Sequence, residues 1–395
     1  MRGGLARREV AVIGIGETAF GELWDKSFRD LGIEAGLLAI EDSGITAQDL
    51  DAIYVGNMSA GKFIEQEHVS ALVADYSGLA DQHLPTVRIE GGGACGAIAI
   101  LQGAMAIASG VHDIVVVGGA EKMTDVADAR AGEILSATAD QEWESVFGAT
   151  FAGLYAMMAR RHMYEHGTTR EQMAQVAVKN HKNGSLNPNA QFQKEITIDT
   201  VLKSGWVAEP LTVFDSAPLS DGAAAVVLCA MDRARKFTDT PVRLLGSGQA
   251  RDFLALHDRR DLTTIDATVV AGKRAFHTAS LTPQSVKVAE VHDNFTISEI
   301  MAIEDLRFVK KGLGGMATED GETALNAKIS VNTSGGLKAR GQPVGAVGIA
   351  QAVEVVRQLR GEAGKRQVQG AEVGLTHTLG GTGATAVVHL YGRVN

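Results

Sequence analysis

The chain has 395 residues, 45% of them hydrophobic and 21% charged, with a formal net charge of −10 at pH 7. That length and balance suit a large globular core built as two domains or as one duplicated domain. The acidic balance, with no Lys/Arg cluster interleaved with aromatics, excludes nucleic acid as the main ligand.

No apolar run reaches the length of a membrane span. Residues 1–4 lack the apolar core and cleavage site of a signal peptide. The cysteines, Cys95 and Cys229, lie far apart and form neither a disulfide framework nor a zinc spacing. The expectation is a cytoplasmic protein with no membrane segment and no metal.

Strand-like runs alternate with helical ones along the chain, which predicts an α/β fold. Residues 10–15 read as a buried strand and 28–43 as a helix ending near Gly44. Residues 52–55 read as a short strand and 66–77 as a helix. A glycine-rich turn, Glu90-Gly91-Gly92-Gly93-Ala94-Cys95-Gly96, then leads into an Ala-rich helix over 98–109. Residues 113–117 form a continuous apolar strand ending in Gly118-Gly119. Segment 126–203 breaks the rhythm with helices over 153–166 and 170–183 and a polar loop over 183–192.

Residues 223–228 read as a strand. The second half then repeats the outline of the first. Strands fall at 242–248, 286–291, 328–331 and 370–377, and helices at 265–279, from just after His292 to about 306, and at 349–359. Residues 384–391 close the chain. This predicts an internal duplication of long period.

A thiol at a helix N-terminus sits at the positive end of the macrodipole, which favours the thiolate. Cys95 is therefore a candidate nucleophile. A cysteine among glycines also serves as a small packing residue, so the turn alone leaves both roles open. His292 falls at a strand-to-helix junction, where an imidazole acts as base, oxyanion donor or cap. His377 precedes the glycine loop Gly380-Gly381. The span Asn332-Thr333-Ser334-Gly335-Gly336 through Gly345 is too glycine-rich for an ordinary connector. Backbone comes close there, either to a ligand or to the other half of the duplication. There is no Walker A sequence, and Gly14-Ile15-Gly16 fits only a relaxed dinucleotide fingerprint.

Taken in order, these segments resemble the thiolase superfamily along essentially the whole chain. The resemblance is strongest to archaeal-type acetoacetyl-CoA thiolases and sterol-carrier-protein-x type thiolases. It rests on Val117-Gly118-Gly119-Ala120-Glu121-Lys122-Met123-Thr124, Ala159-Arg160-Arg161-His162-Met163, residues 215–224, His292-Asp293-Asn294-Phe295, the loop 332–348, and residues 360–377. It implies two βαβαβαββ halves in a five-layered α-β-α-β-α arrangement. Residues 1–125 with 204–240 form the first half, 126–203 a loop domain over the site, and 241–395 the second half. It implies a coenzyme A thioester as substrate with no permanently bound cofactor, and a homodimer or homotetramer.

The resemblance also locates departures. Ungapped alignment puts Gly93, not a cysteine, where the family carries its nucleophile, and spacing to Gly110 and Asp113 supports that register. Cys95 falls two residues later, swung by roughly 200° around a helix of 3.6 residues per turn. The family's Gly-His-Pro reads Gly341-Gln342-Pro343, and glutamine donates a hydrogen bond but is no base. Asn294 stands where some relatives carry cysteine. His292 and His377 match without substitution.

The resemblance thus implies an acyl-CoA thiolase working through a cysteine acyl-enzyme. Cys95, His292, His377 and Gln342 are its catalytic candidates. Gly93, Asn294, Asn332, Ser334, Gly335, Gly380 and Gly381 are candidates for holding substrate. Two other readings accompany it. One is a thiolase-fold retro-aldol lyase of a CoA-linked side chain, working with an OB-fold zinc-ribbon partner. The other is a non-catalytic CoA-binding subunit of an acyl-CoA complex.

Overall fold

The computed structural model describes residues 8–394; the reading of residues 1–4 lies outside them. Among the described residues are twelve strands, β1 (Val10–Glu17), β2 (Ala52–Gly56), β3 (Thr86–Ile89), β4 (Ile114–Glu121), β5 (Trp206–Ala208), β6 (Leu211–Thr212), β7 (Gly222–Ala230), β8 (Val242–Arg251), β9 (Val288–Glu290), β10 (Ser330–Val331), β11 (Val373–Gly380) and β12 (Thr385–Arg393). Ten of them form one sheet in the order β10-β9-β11-β12-β8-β1-β7-β4-β2-β3, while β5 and β6 make a separate hairpin.

The order reads the same from both ends. Outward from the central β1–β8 pair, the first half runs β1, β7, β4, β2, β3 and the second β8, β12, β11, β9, β10. Each half has its outer three strands parallel and its inner ones antiparallel. The predicted duplication is thus a duplication of topology.

The main helices are α1 (Phe28–Ser43), α2 (Val69–Tyr76), α3 (Cys95–Ala108), α4 (Phe151–His166), α5 (Arg170–Gly184), α6 (Asp266–Ala279), α7 (Thr296–Asp305), α8 (Gly336–Arg340) and α9 (Val347–Arg360). Local chemistry sets their ends. Ser27 and Asp30 close a capping box at the start of α1, and Gly44 ends it at φ 70° with its N–H on the Glu41 carbonyl. Thr169 and Gln172 close another box on α5. α1 covers β1, β7 and β4 on one outside face, and α6 covers β8 and β12 on the other. α3 and α9 pack on each other and on strands of both halves, so they form the middle layer of the α-β-α-β-α arrangement. Their apolar faces, with Ile100, Ile107, Ile349 and Val353 fully buried, make the central core.

Glycines in β1 and β8 let the outer helices approach. A Cβ on Gly14 would lie 2.2 Å from the Ala39 carbonyl oxygen, and one on Gly16 2.4 Å from that of Ala35. The same device recurs in the other half, where Gly246 faces Ala275 at 2.5 Å and Gly248 faces Ala271 at 2.0 Å. Gly14-Ile15-Gly16 is therefore a strand–helix packing seam, which accounts for the relaxed dinucleotide match. Gly248→Ala is expected to cost about 2–3 kcal/mol, because a methyl driven into a backbone carbonyl forces the helix off the sheet. Gly132→Ala, in an exposed helix where a Cβ meets open space, is the control and is expected to stabilise by up to about 1 kcal/mol. Urea midpoints at constant m check both.

Two elements depart from the sequence reading in ways that matter below. The helix after the glycine turn starts at Cys95 rather than residue 98, because a 3-10 turn over Gly92–Ala94 runs straight into it. β11 extends to Gly380, so His377 lies inside a strand, paired with Val388, rather than at its end.

Candidate active site

The two central helices start side by side. A Cβ on Gly96 would meet the Gly345 carbonyl at 2.8 Å, and one on Gly348 the Ala97 nitrogen at 2.5 Å. The N-termini of α3 and α9 thus converge, and their unpaired N–H groups and dipoles make a positive region. The turn before α3 packs backbone to backbone on the loop after β11. Gly380 lies against the Gly91 carbonyl, where an added Cβ would come within 2.2 Å, and Gly92, at φ 58°, faces the Gly381 nitrogen.

A small cavity of about 10 Å³ lies at this junction, with Gly93, His292, Gln342, Leu379, Phe151 and Thr138 in its walls. A larger cavity of about 400 Å³, bounded by Ser59, Lys62, Glu90, Gly91, Gly92 and Gly380, shares Met58, Thr138 and Gly381 with it. The volume suits an extended ligand reaching toward the small cavity.

His292 lies two residues after the end of β9. Its neighbour Asp293 fixes the position by accepting hydrogen bonds from the Leu337 and Lys338 backbone nitrogens at 2.6 and 3.2 Å and from Asn180 Nδ2 at 2.7 Å. The His292 side chain is buried, and Nδ1 has no partner. Burial, with His377 nearby, pushes its pKa down to about 3, so the ring is neutral at physiological pH. A Cβ at Gly93 would sit 3.2 Å from His292 Cε1 and 3.7 Å from Nε2. Gln342 is held by its backbone nitrogen, which donates to Ser220 Oγ at 2.8 Å. Gln342 borders the small cavity.

Cys95 is not among these groups. It is fully buried, with Sγ 4.0 Å from the Gly345 carbonyl oxygen, and borders neither cavity. The expected thiolate is corrected as well. Burial first, then the carboxylates of Glu121 and Glu90, hold the thiol well above its ordinary pKa. Desolvation outweighs the helix dipole because the side chain points into the protein, away from the open end of the turn.

His377 is buried in β11, with Nε2 2.9 Å from Thr268 Oγ1 and Nδ1 unpartnered. Burial lowers its pKa to about 3. It is close enough to act on the His292 charge, and it borders neither cavity. Asn294 lies just before Phe295, the N-cap of α7, its Oδ1 accepting from Phe295 N at 3.1 Å and Ser298 Oγ at 2.8 Å, while Nδ2 is buried without a partner.

Asn332, Ser334 and Gly335, expected to hold substrate, brace the loop instead. Asn332 accepts from the Val291 nitrogen at 2.8 Å and donates to Glu299 at 2.7 Å. Ser334 donates to Glu290. Gly335, at φ 103°, lies against Gly184, where a Cβ would meet Cα at 2.8 Å. The close approach read from the glycines is thus to protein. Gly380 and Gly381 do border the larger cavity, and the Gly381 carbonyl accepts from Tyr155 OH at 3.0 Å.

Thr138, Phe151 and Lys62 reach the cavities without having been singled out in the sequence. Only the Thr150 cap before Phe151 marks its surroundings locally. No helix among the described residues is long and apolar enough to cross a membrane.

The family profile described as the N-terminal domain of thiolase matches residues 10–232, and the one described as thiolase C-terminal domain-like matches 248–393. The chain is 60% identical over 386 residues to an acetyl-CoA acetyltransferase of Methanothermobacter thermautotrophicus, covering 98% of this chain and 100% of that one. It is 46% identical over 390 residues to an acetyl-CoA acetyltransferase of Methanocaldococcus jannaschii, covering 97% and 98%. Among solved structures, the Ltp2-ChsH2(DUF35) aldolase superposes with a TM-score of 0.83 at 28% identity, covering 98% of each chain.

Proposed function

The chain belongs to the thiolase family, and from that premise we propose that it is an acyl-CoA acyltransferase that makes or breaks the α-carbon to carbonyl bond of a 3-oxoacyl-CoA. The observation that carries this reading is the meeting of His292, Gln342 and the Gly91–Gly93 turn at the joined N-termini of the two central helices.

Breaking that bond leaves an enolate on the thioester oxygen. Such charge is stabilised by N–H donors already aimed at it in a site shielded from water. The neutral His292 ring supplies one N–H, the Gln342 carboxamide another, and the helix N-termini add their dipoles. The larger cavity takes the CoA chain, with Lys62 at its edge, and residues 126–203 act as the covering domain through Thr138 and Phe151.

The acyl group in this reading rests on a cysteine, and Cys95 is the thiol at the turn. Cys229 is on β7, fully buried in the sheet. Acylation requires the Cys95 side chain to leave the Gly345 carbonyl; its sulfur bonds the 3-carbonyl carbon as the C2–C3 bond breaks, and its proton ends on the α-carbon of the departing acetyl-CoA enolate. A cytoplasmic location, self-association into a dimer or tetramer, and a partner such as the DUF35 subunit named with the aldolase belong to the same reading.

One observation favours a second reading, retro-aldol cleavage of a CoA-linked side chain with no acyl-enzyme. Gly93, the backbone position facing His292, brings no side chain to the cavity.

Intact-mass spectrometry separates the two. Wild type incubated with acetyl-CoA and acetoacetyl-CoA is expected to gain an acetyl group, faster as pH rises because the thiol is held protonated. Cys95→Ala is expected to gain none. An unchanged mass in wild type, with a 3-hydroxyacyl-CoA cleaved to a carbonyl compound and acetyl-CoA while acetoacetyl-CoA is left intact, would exclude the cysteine route and leave the second reading. Binding with consumption of neither would exclude both.

A further inference from the structure

His292 and Gln342 border one small cavity but come from segments far apart in the chain. His292 lies two residues after β9, and Gln342 two residues after α8. Two donors aimed at one developing charge are only as good as the link that holds their segments in place.

α8 starts without a cap of its own. Its N-cap is Gly335, which has no side chain to offer, so the amides of the first turn need acceptors from elsewhere. Ser334 Oγ accepts from the Gly336 nitrogen at 3.2 Å. The next two amides go to Asp293, the residue after His292. Its Oδ1 accepts from Leu337 N at 2.6 Å and its Oδ2 from Lys338 N at 3.2 Å. Gly336 lets the carboxylate come this close, because a Cβ there would lie 2.2 Å from Oδ2. The loop before α8 is held separately, by Glu290 on the Ser334 nitrogen and by Asn332 on the Val291 nitrogen. Asp293 grips the helix itself. At the other end of α8 the Gly341 nitrogen bonds back to the Leu337 carbonyl at 3.2 Å, and the Gln342 nitrogen donates to Ser220 Oγ at 2.8 Å. One short helix therefore connects the Asp293 carboxylate to Gln342.

Asp293 is fully buried and also accepts from Asn180 Nδ2 at 2.7 Å, an amide shared with Glu299. Burying one carboxylate near another is costly, and a serine at the N-cap would satisfy such an amide from within. What the carboxylate adds is the link from α8 to His292.

We propose that Asp293 is a positioning residue for the carbon–carbon chemistry, its carboxylate holding the start of α8 against the His292 segment and so setting where Gln342 stands relative to His292. This rests on the reading of His292 and Gln342 as the donors to the enolate. Burial, then the Glu299 charge, push the Asp293 carboxyl up to about 7, so above that pH both oxygens are free to accept.

The test takes position and rate separately, on the full-length protein at about pH 8.5, where Asp293 is ionised. The Gln342 side-chain amide is followed by NMR with isotope-labelled glutamine and is assigned by its loss in Gln342→Ala. Its resonance is expected to shift in Asp293→Asn, which keeps the size but turns one acceptor into a donor. It is expected to stay in place in Asn180→Ala, which leaves the α8 bonds intact. Turnover of acetoacetyl-CoA with CoA is expected to fall about 10–100-fold in Asp293→Asn with KM changed less than about threefold, and to fall less than about threefold in Asn180→Ala. The double variant Asp293→Asn, Gln342→Ala is expected to lose at least about fivefold less than the two single losses multiplied, because the second change removes what the first misplaces. Gly336→Ala pushes the carboxylate off α8 from the other side and is expected to repeat both the shift and the slowing, so it carries the test where Asp293→Asn does not fold. An unmoved Gln342 resonance in either folded variant overturns the proposal. Equal rate losses in Asp293→Asn and Asn180→Ala overturn it too, as does a double variant that shows the full product. Wild type with no turnover removes the proposed reaction instead, and the resonance still decides whether Asp293 sets Gln342.

Discussion

Replacing Gly93 by cysteine and Gln342 by histidine together is expected to raise thiolysis of acetoacetyl-CoA by a factor of about 10²–10⁴ over wild type. The argument is one of direction. A side chain on residue 93 starts 3.2 Å from the His292 ring, inside the small cavity, whereas Cys95 starts two residues further around the helix and points at the Gly345 carbonyl. A thiol at 93 meets the substrate carbonyl without any rearrangement of α3. Gln342 borders the same cavity, so a histidine there supplies the base that glutamine cannot.

The substitution carries a cost that can be measured separately. The new Cβ meets the Leu379 carbonyl at 2.5 Å, so the two glycine loops must move apart, and the variant is expected to melt below wild type. Gly93→Cys alone is expected to gain less than the pair, because its thiol has no base. A folded double variant with wild-type turnover would show that the cavity at Gly93 is not where the acyl group is transferred.

Much of this was legible in the chain, and the pieces that were not share a physical cause. The duplication, the glycine turns and the histidine after β9 are local features, and each marks a place where backbone approaches backbone. The span around Gly335 shows the limit of that signal: a glycine reports closeness but not to what, and here the neighbour is Gly184. Cys95 shows another limit. Its place at a helix N-terminus is local and readable, but its desolvation and the nearby Glu121 and Glu90 are tertiary, and those decide its proton. Thr138 and Phe151 reach the cavities from positions far in sequence from His292 and Gly93. Polar groups in a covering segment carry no periodicity that separates them from surface.

His292→Ala is expected to lower turnover by about 10²–10³ with a much smaller change in KM, the loss found when one donor is removed from a charge-stabilising site. Neither ring nitrogen of His292 hydrogen-bonds within the described protein, and Nδ1 is buried without a partner. A neutral imidazole held that way has its hydrogen-bonding capacity reserved for something that enters. His292→Asn, which keeps an N–H on a shorter side chain, is expected to recover part of the rate.

The pH dependence separates a donor from a base. With a pKa near 3 the ring stays neutral from about pH 5 upward, so the wild-type rate should show no inflection from His292 between pH 5 and 8. A general base of ordinary pKa would instead give one near 6.5. The stability sign follows from the same shift. The unfolded chain takes up the proton at about 6.5 and the folded ring does not until about 3. The contribution of this ring is fully present above 6.5 and is lost as pH falls toward 3. His292→Ala is therefore expected to flatten the acid limb of the stability curve while lowering turnover at every pH. A variant that keeps wild-type turnover would remove His292 from the chemistry and leave the ring as packing between β9 and β11.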